Sequence, residues 1–452
     1  MKTVGILPTA LASSADVYQR SKGYAWTVFA LTFGLMLSDY LSRQAMGAVF
    51  PFLKAEWAVS DSQLGALVSI VSLVVGVMTI PLSLIADRWG RVRSITVMAF
   101  VWCFATIACG LATNYTEMLI ARAVVGLGEA AYAGAGAALL AHTFPIEKRS
   151  AVLGAFQSAA LFGSVLGVII GGAVATQFGW RYAFFAVGTP GLILATLYPF
   201  FVRDYQTPQQ RRDGQNEYAA DVANLSNVSK VTKVNNLVKP NPHFRQIFKQ
   251  VFAARSGNFT FVAFGLQMGI PAILIAWSPT FFNRFYGFDP KKAALMAAVV
   301  VLAAGVGMLF GGGIADRLSK GRPQSRALIP AAYSLLSGVM LIAAFSLPPG
   351  GMALALFIGG ALFAAGHGGC SVAMVIDVTP PAVHATVTAT AVLGASLLGL
   401  APGPYLVGML SEMTSLKTAL TFAPCVSIVA AGLFWLASRT YKEDVARCQG
   451  QA

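Results

Sequence analysis

Twelve apolar runs recur along this chain, at 24–47, 61–84, 94–112, 117–141, 150–174, 182–202, 258–283, 292–315, 327–347, 352–376, 385–410 and 418–438. At a rise of about 1.5 Å per residue, a run of about 20 residues crosses the roughly 30 Å hydrocarbon core of a bilayer as a helix. Only 11% of the 452 residues are charged while 56% are hydrophobic, which excludes an ordinary soluble globule. The expected fold is all-α and integral to the membrane, with twelve transmembrane helices. The first run, from Tyr24, lacks a cleavage site and reads as a retained anchor.

A net charge of +14 suggests nucleic acid, but the placement of the charges rejects it. With an even number of helices both termini share a side. Of the 32 Lys and Arg, 24 then fall on that side, six on the other, and Arg43 and Arg122 lie within helices. That is the positive-inside asymmetry, which predicts cytoplasmic termini; the compact loops and short termini suggest a bacterial inner membrane. The lipid bilayer accounts for the basic balance, and no nucleic-acid partner is expected. The five cysteines show no metal spacing, and four of them fall in apolar helices as small buried hydrophobes.

The runs divide six and six. The reading is a cytoplasmic N-terminus (1–23), an N-terminal bundle (24–203), a cytoplasmic linker (204–257), a C-terminal bundle (258–438) and a tail (439–452). The linker is polar from Gln206 to Pro242. At its end, Phe244, Ile247, Phe248, Val251 and Phe252 follow helical spacing beside Arg245, Lys249 and Arg255, which predicts an amphipathic helix on the membrane surface. The halves also repeat. Ser83-Leu-Ile-Ala-Asp87-Arg88-Trp-Gly90-Arg91 recurs as Gly312-Gly-Ile-Ala-Asp316-Arg317-Leu-Ser-Lys320, and Gly163, Gly167 and Gly172 are echoed by Gly399, Gly403 and Gly408. Internal repeats of this kind build many secondary transporters, with the site near the midplane between the halves.

The six-plus-six layout with its doubled Gly-x-x-x-Asp-Arg-x-Gly-Arg-type loop resembles the major facilitator superfamily over nearly the whole chain. Ser83 and Ser319 depart from that loop's glycines. The resemblance implies two pseudo-repeat bundles rocking about a central cavity lined by helices 1, 4, 7 and 10. Further features resemble its Spinster-like branch. They are Asp39 and Arg43, Pro51-Phe-Leu-Lys54, Ser60-Asp-Ser-Gln-Leu-Gly65, Arg122-x5-Gly-Glu129-Ala130 and Gly403-Pro404-x3-Gly408-x2-Ser411. That branch is associated with proton-linked movement of lysolipids and sphingoid lipids, while several organic-acid permeases share much of the pattern. Helix 5 keeps the glycine spacing of the superfamily's antiporter motif but has Val168 in place of its proline.

Charges inside apolar helices mark a substrate or ion pathway by default. Counting from the helix ends puts Asp39 roughly 22 Å and Arg43 roughly 28 Å from the inner surface, with Arg122 roughly 8 Å and Glu129 roughly 18 Å below the outer one. The two signs compensate. Asp39 and Arg43, four apart, are spaced to pair within one helix. Glu129 is the expected proton carrier with Asp39, because apolar surroundings favour the neutral carboxyl and a nearby arginine the carboxylate. An anion on Arg122 would loosen its hold on Glu129 and so couple substrate to proton. Arg43, Tyr40 and Asn283 join Arg122 as expected binding residues. His367, between glycines in helix 10, is a further candidate for proton coupling. Asp87, Arg88, Arg91, Asp316 and Arg317 form an expected latch that pairs in one state and parts in the other.

The function expected is a secondary transporter, proton-coupled and monomeric, moving an organic anion or amphipathic metabolite. It is not an enzyme and needs no cofactor beyond the proton gradient. A lysolipid or sphingoid lipid exporter is the alternative within transport, and a transporter-fold sensor is the alternative of another class. An integral-membrane enzyme would need clustered His and acidic residues, and His142, His243, His367 and His384 are scattered.

Overall fold

The computed structural model describes residues 22–203, 250–318, 323–380 and 383–449. Twelve helical rods follow one another among these residues. The first six are α1 (Lys22–Trp57), α2 (Asp61–Trp89), α3 (Arg91–Leu111), α4 (Tyr115–Glu129 and Tyr132–Thr143), α5 (Ile146–Phe178) and α6 (Trp180–Phe201). The second six are α7 (Arg255–Tyr286), α8 (Pro290–Leu318), α9 (Pro323–Ser346), α10 (Gly351–Gly366 and Gly368–Asp377), α11 (His384–Ala395, Ser396–Leu400 and Pro402–Met413) and α12 (Leu416–Phe422 and Cys425–Gln449). Eleven are long and apolar enough to cross a membrane. The other, α1, has 36 residues and is about 54 Å long. Its buried Asp39, Ser38, Ser42 and Thr32 dilute the apolar run.

Local chemistry sets the turns. Ser60 caps α2 with a capping box, its side chain taking the Gln63 N–H while Gln63 reaches back to the Ser60 N–H. Gly90 and Gly179, at φ 104° and 98°, make the sharp α2–α3 and α5–α6 corners that a side chain would strain. The side of the bundle holding the ends of α6 and the start of α7 is termed the linker side, and the opposite one the far side.

Each half packs its own six helices. The halves meet along α1 against α7, α2 against α11, and α5 against α8. The α2–α11 seam joins two of the stretches singled out in the sequence. A Cβ on Gly65 would overlap the Pro404 carbonyl, and one on Gly408 the Asp61 carbonyl, so both glycines are there for close backbone approach. Gly408→Val should therefore wedge the far-side ends of α2 and α11 apart, at a cost of about 1–3 kcal/mol for overpacking. A thiol reagent confined to the far side should then label Ser411→Cys faster in the Gly408→Val background than without it. Equal rates would contradict this reading of the seam.

Several sequence expectations change or pass out of view. Helix α12 continues to Gln449, through most of the stretch read as a tail. There the buried Asp444 accepts from the Ser256 backbone and hydroxyl at 2.9 and 2.7 Å, and Tyr441 donates to Asp377 at 2.6 Å. Most of the amphipathic segment, Phe244 to Lys249, lies outside the described residues. At its end Val251 is buried and Phe252 meets Phe261. The side chains of Asp87, Arg88 and Asp316 also lie outside the described residues. Of the other expected latch members, Arg91 opens α3 and Arg317 is exposed at the end of α8.

Candidate functional site

Four helices are interrupted along their length among the described residues, α4, α10, α11 and α12, and the breaks in α4 and α10 fall beside candidate residues. Helix α4 breaks at Ala130 and Ala131, directly after Glu129. The Ala130 carbonyl accepts from the Thr79 hydroxyl of α2 at 2.9 Å, which satisfies a group that lipid could not. Helix α10 breaks at His367, whose carbonyl accepts from the Ser371 N–H and hydroxyl at 3.0 and 2.9 Å. Measured from their far-side starts, the two breaks sit at about the same depth, 21 to 24 Å. Helix α11 carries a π-helical turn over Ser396–Leu400, a form frequent at functional sites.

The central charge cluster joins α1 to α4. Arg43 Nε donates to Glu129 Oε2 at 2.9 Å, and its Nη2 meets the same oxygen. Asp39, one turn before Arg43, stands within hydrogen-bonding reach of the Glu129 carboxyl. Asp39 Oδ1 and Glu129 Oε1 are each buried with no donor. The Asp39 and Glu129 residues are 4% and 5% exposed, while the Arg43 side chain keeps 20% exposure. Tyr40 places its ring 5.5 Å from the guanidinium carbon of Arg43, a cation–π contact that holds the arginine without neutralising it.

This geometry corrects two expectations. Arg43 does not pair along its own helix with Asp39; it reaches across from α1 to Glu129 of α4. Arg122 does not hold Glu129 either. It is buried at 1% exposure, donates through Nε to the Leu67 carbonyl of α2 at 3.1 Å, and leaves Nη2 without a partner. Seven residues put Arg122 and Glu129 on one face of α4, but the distance along the axis, about 10 Å, is too long for a direct pair.

Two other candidates sit apart from the cluster. The His367 ring lies between Phe264 and Phe434, at 5.7 and 6.1 Å, with Nδ1 3.3 Å from the Ser371 hydroxyl and Nε2 unpartnered. It belongs to the packing of the C-terminal half, and no contact joins it to Glu129 among the described residues. Asn283 donates to the Phe288 carbonyl at 2.9 Å, bridging the turn where Gly287 adopts φ 65°.

Sequence reasoning missed a second charged centre at the far side. Asp61, at the start of α2, accepts two bonds of 2.9 Å from Arg284 at the end of α7, one of 2.7 Å from Ser411 of α11, and one from Lys54 of α1. Beside it the Ser62 N–H donates to Glu412 at 2.6 Å. Asp61 and Ser411 both lie in stretches quoted for the resemblance, so a signal was present. What pairs them was not.

The comparisons with known proteins agree with this architecture. The sequence pattern of the Major Facilitator Superfamily matches residues 31–401. An Escherichia coli K12 protein named "Probable L-galactonate transporter" is 27% identical over 449 residues, covering 93% of each chain. Protein spinster homolog 1 of Xenopus laevis is 26% identical over 454 residues, covering 92% of this chain and 81% of that one. Among solved structures, a bacterial homolog of the human lysosomal transporter Spinster, inward-facing and unoccupied, superposes with a TM-score of 0.79 at 21% identity. It covers 94% of this chain and 99% of that one. The chain belongs to the Major Facilitator Superfamily and is a multi-pass transmembrane transporter of that family.

Proposed function

We propose that this transporter moves a small organic anion of the sugar-acid class together with a proton, and that Arg43, Glu129 and Asp39 couple the two. The observation that carries the reading is the contact of Arg43 with Glu129 beside Asp39. Two buried carboxyls beside one arginine carry one negative charge more than it balances, and on this reading the pair holds the proton that offsets it. A substrate carboxylate entering the site meets Arg43, the most accessible of the central charges, and draws it from Glu129. Freed of its cation, Glu129 favours the proton, and the substrate's negative charge is then balanced by that proton's arrival. The cluster stays near neutral through both steps, as an intramembrane site must. Arg122, sealed against α2, supplies a fixed positive field, and Tyr40 positions Arg43.

The sugar-acid class rests on the relative named for L-galactonate, which matches over almost the full length. The excess of Lys and Arg on the linker side supports reading that side as cytoplasmic by the positive-inside rule, and the compact loops support a bacterial inner membrane. The transporter is read as a monomer. The direct test is uptake into proteoliposomes of L-galactonate, hexuronates, short carboxylates and lysolipids, with and without an acid-outside gradient. Accumulation of a sugar acid that rises with the gradient is the expected result. Movement of lysolipid alone would replace this reading with lipid export, and binding without movement would favour a sensor.

A further inference from the structure

On the lipid-facing surface of the N-terminal half, the linker-side ends of α3 and α6 leave a groove of about 680 Å³. Trp89, Arg93, Val97, Pro199, Val202 and Arg203 line it. Val97 also lines a second groove, about 770 Å³, that continues up α3 against α4 over Phe100, Phe104 and Ile120. The two make one trough, charged at its mouth and apolar along α3, with Glu117 at its far end. Arg93 and Arg203 are both exposed, and neither guanidinium has a hydrogen bond or ion pair among the described residues. The backbone of Arg203 is fixed by its N–H bond to the Tyr24 hydroxyl at 3.0 Å. Trp89, 61% exposed, stands at the same level, the depth of lipid headgroups that Trp favours.

We propose that this trough binds one anionic phospholipid, with its phosphate on Arg93 and Arg203 and an acyl chain along Val97, Phe100 and Phe104. The charge argument is direct. Two guanidinium groups with no protein anion among the described residues, held at the end of an apolar channel, match a phosphate attached to a hydrocarbon chain. Basic pockets between transmembrane helices are a recognised setting for acidic headgroups. The length agrees as well. Eleven residues of α3 separate Arg93 from Phe104, about 16 Å along the axis, and one leaflet of the hydrocarbon core is about 15 Å deep. A free phosphate would use the mouth and leave the apolar wall unexplained. The trough lies outside the Arg43–Glu129–Asp39 cluster, so the proposal stands or falls independently of the transported solute.

The test is lipid binding to the purified full chain in an uncharged detergent, read by native mass spectrometry and by melting temperature. Dioleoyl phosphatidylglycerol is compared with dioleoyl phosphatidylcholine, and glycerol phosphate serves as the chainless probe. Phosphatidylglycerol should bind more tightly than phosphatidylcholine, and glycerol phosphate should neither stabilise nor displace it. Arg93→Gln and Arg203→Gln should each weaken phosphatidylglycerol about fivefold. Val97→Trp, which fills the trough and keeps both arginines, should weaken it too. Arg255→Gln, an equal charge change at another exposed linker-side position, should leave it unaltered. Equal binding of the two lipids would overturn the proposal. So would a loss in Arg255→Gln matching that in Arg93→Gln, or full competition by glycerol phosphate, which would mark a free-anion site.

Discussion

Glu129→Gln should abolish gradient-driven accumulation while leaving substrate exchange across the membrane intact. The substitution keeps the size of the side chain but removes the anion that Arg43 holds at 2.9 Å. Arg43 is then a mostly buried cation whose nearest remaining carboxyl is Asp39, one turn away on α1. Breaking a buried ion pair costs about 3–5 kcal/mol, and with Arg43 partly exposed the lower end applies. Much of that loss is recovered if Asp39 ionises and takes the arginine along its own helix. The shared proton is thereby expelled. With Asp39 the one carboxyl left in the pair and held as the anion by Arg43, a pH gradient has no shared proton to act on. Accumulation should therefore fall to the level seen without a gradient, whereas exchange, which needs no net proton movement, continues. The measurement is paired uptake and counterflow in proteoliposomes at two external pH values. Retained pH-driven accumulation in Glu129→Gln would remove Glu129 from the coupling.

Asp61→Asn should shift the protein towards a state open at the far side. Asp61 gathers Lys54 and Arg284 from α1 and α7 and the Ser411 hydroxyl from α11, so it ties the two halves together at one end. The amide keeps one acceptor oxygen but loses the charge, and it leaves two cations facing each other. Hydrogen bonds to charged groups contribute about 1.5–3 kcal/mol each. Losing the charge in two of them, partly offset by solvent at the exposed Lys54, predicts a shift of about 2–3 kcal/mol. That is roughly 30- to 150-fold in the ratio of the two states. Spin-label distances between the far-side ends of α2 and α8 report the change directly. Unaltered distances in Asp61→Asn, with the protein still folded, would show that packing of Gly65 and Gly408 alone holds this end closed.

These two centres were legible in the sequence to different degrees. Asp39, Arg43, Arg122 and Glu129 stood out because a charge within an apolar run is visible without any neighbour. Their joint depth followed from counting residues at a constant rise. Which arginine would hold Glu129 did not follow, since the spacing of four between Asp39 and Arg43 favoured a pair that the packing of α1 on α4 replaced. His367 shows the same limit. Its flanking glycines leave room for a ligand or for another helix, and it is α8 that packs there, with Gly311 against Gly366, while Phe264 and Phe434 flank the ring.

By itself the sequence determined the number of membrane-crossing helices, their division into two halves and the repeat that relates them. Each of these is written in local runs, because a bilayer tests every segment separately for length and apolarity. The tertiary structure decided the partnerships. Asp61 meets Arg284 and Ser411 across 223 and 350 residues of chain, and Arg43 meets Glu129 across 86. Such contacts depend on how whole helices rotate and tilt against one another, a property of two packed surfaces that no single run contains.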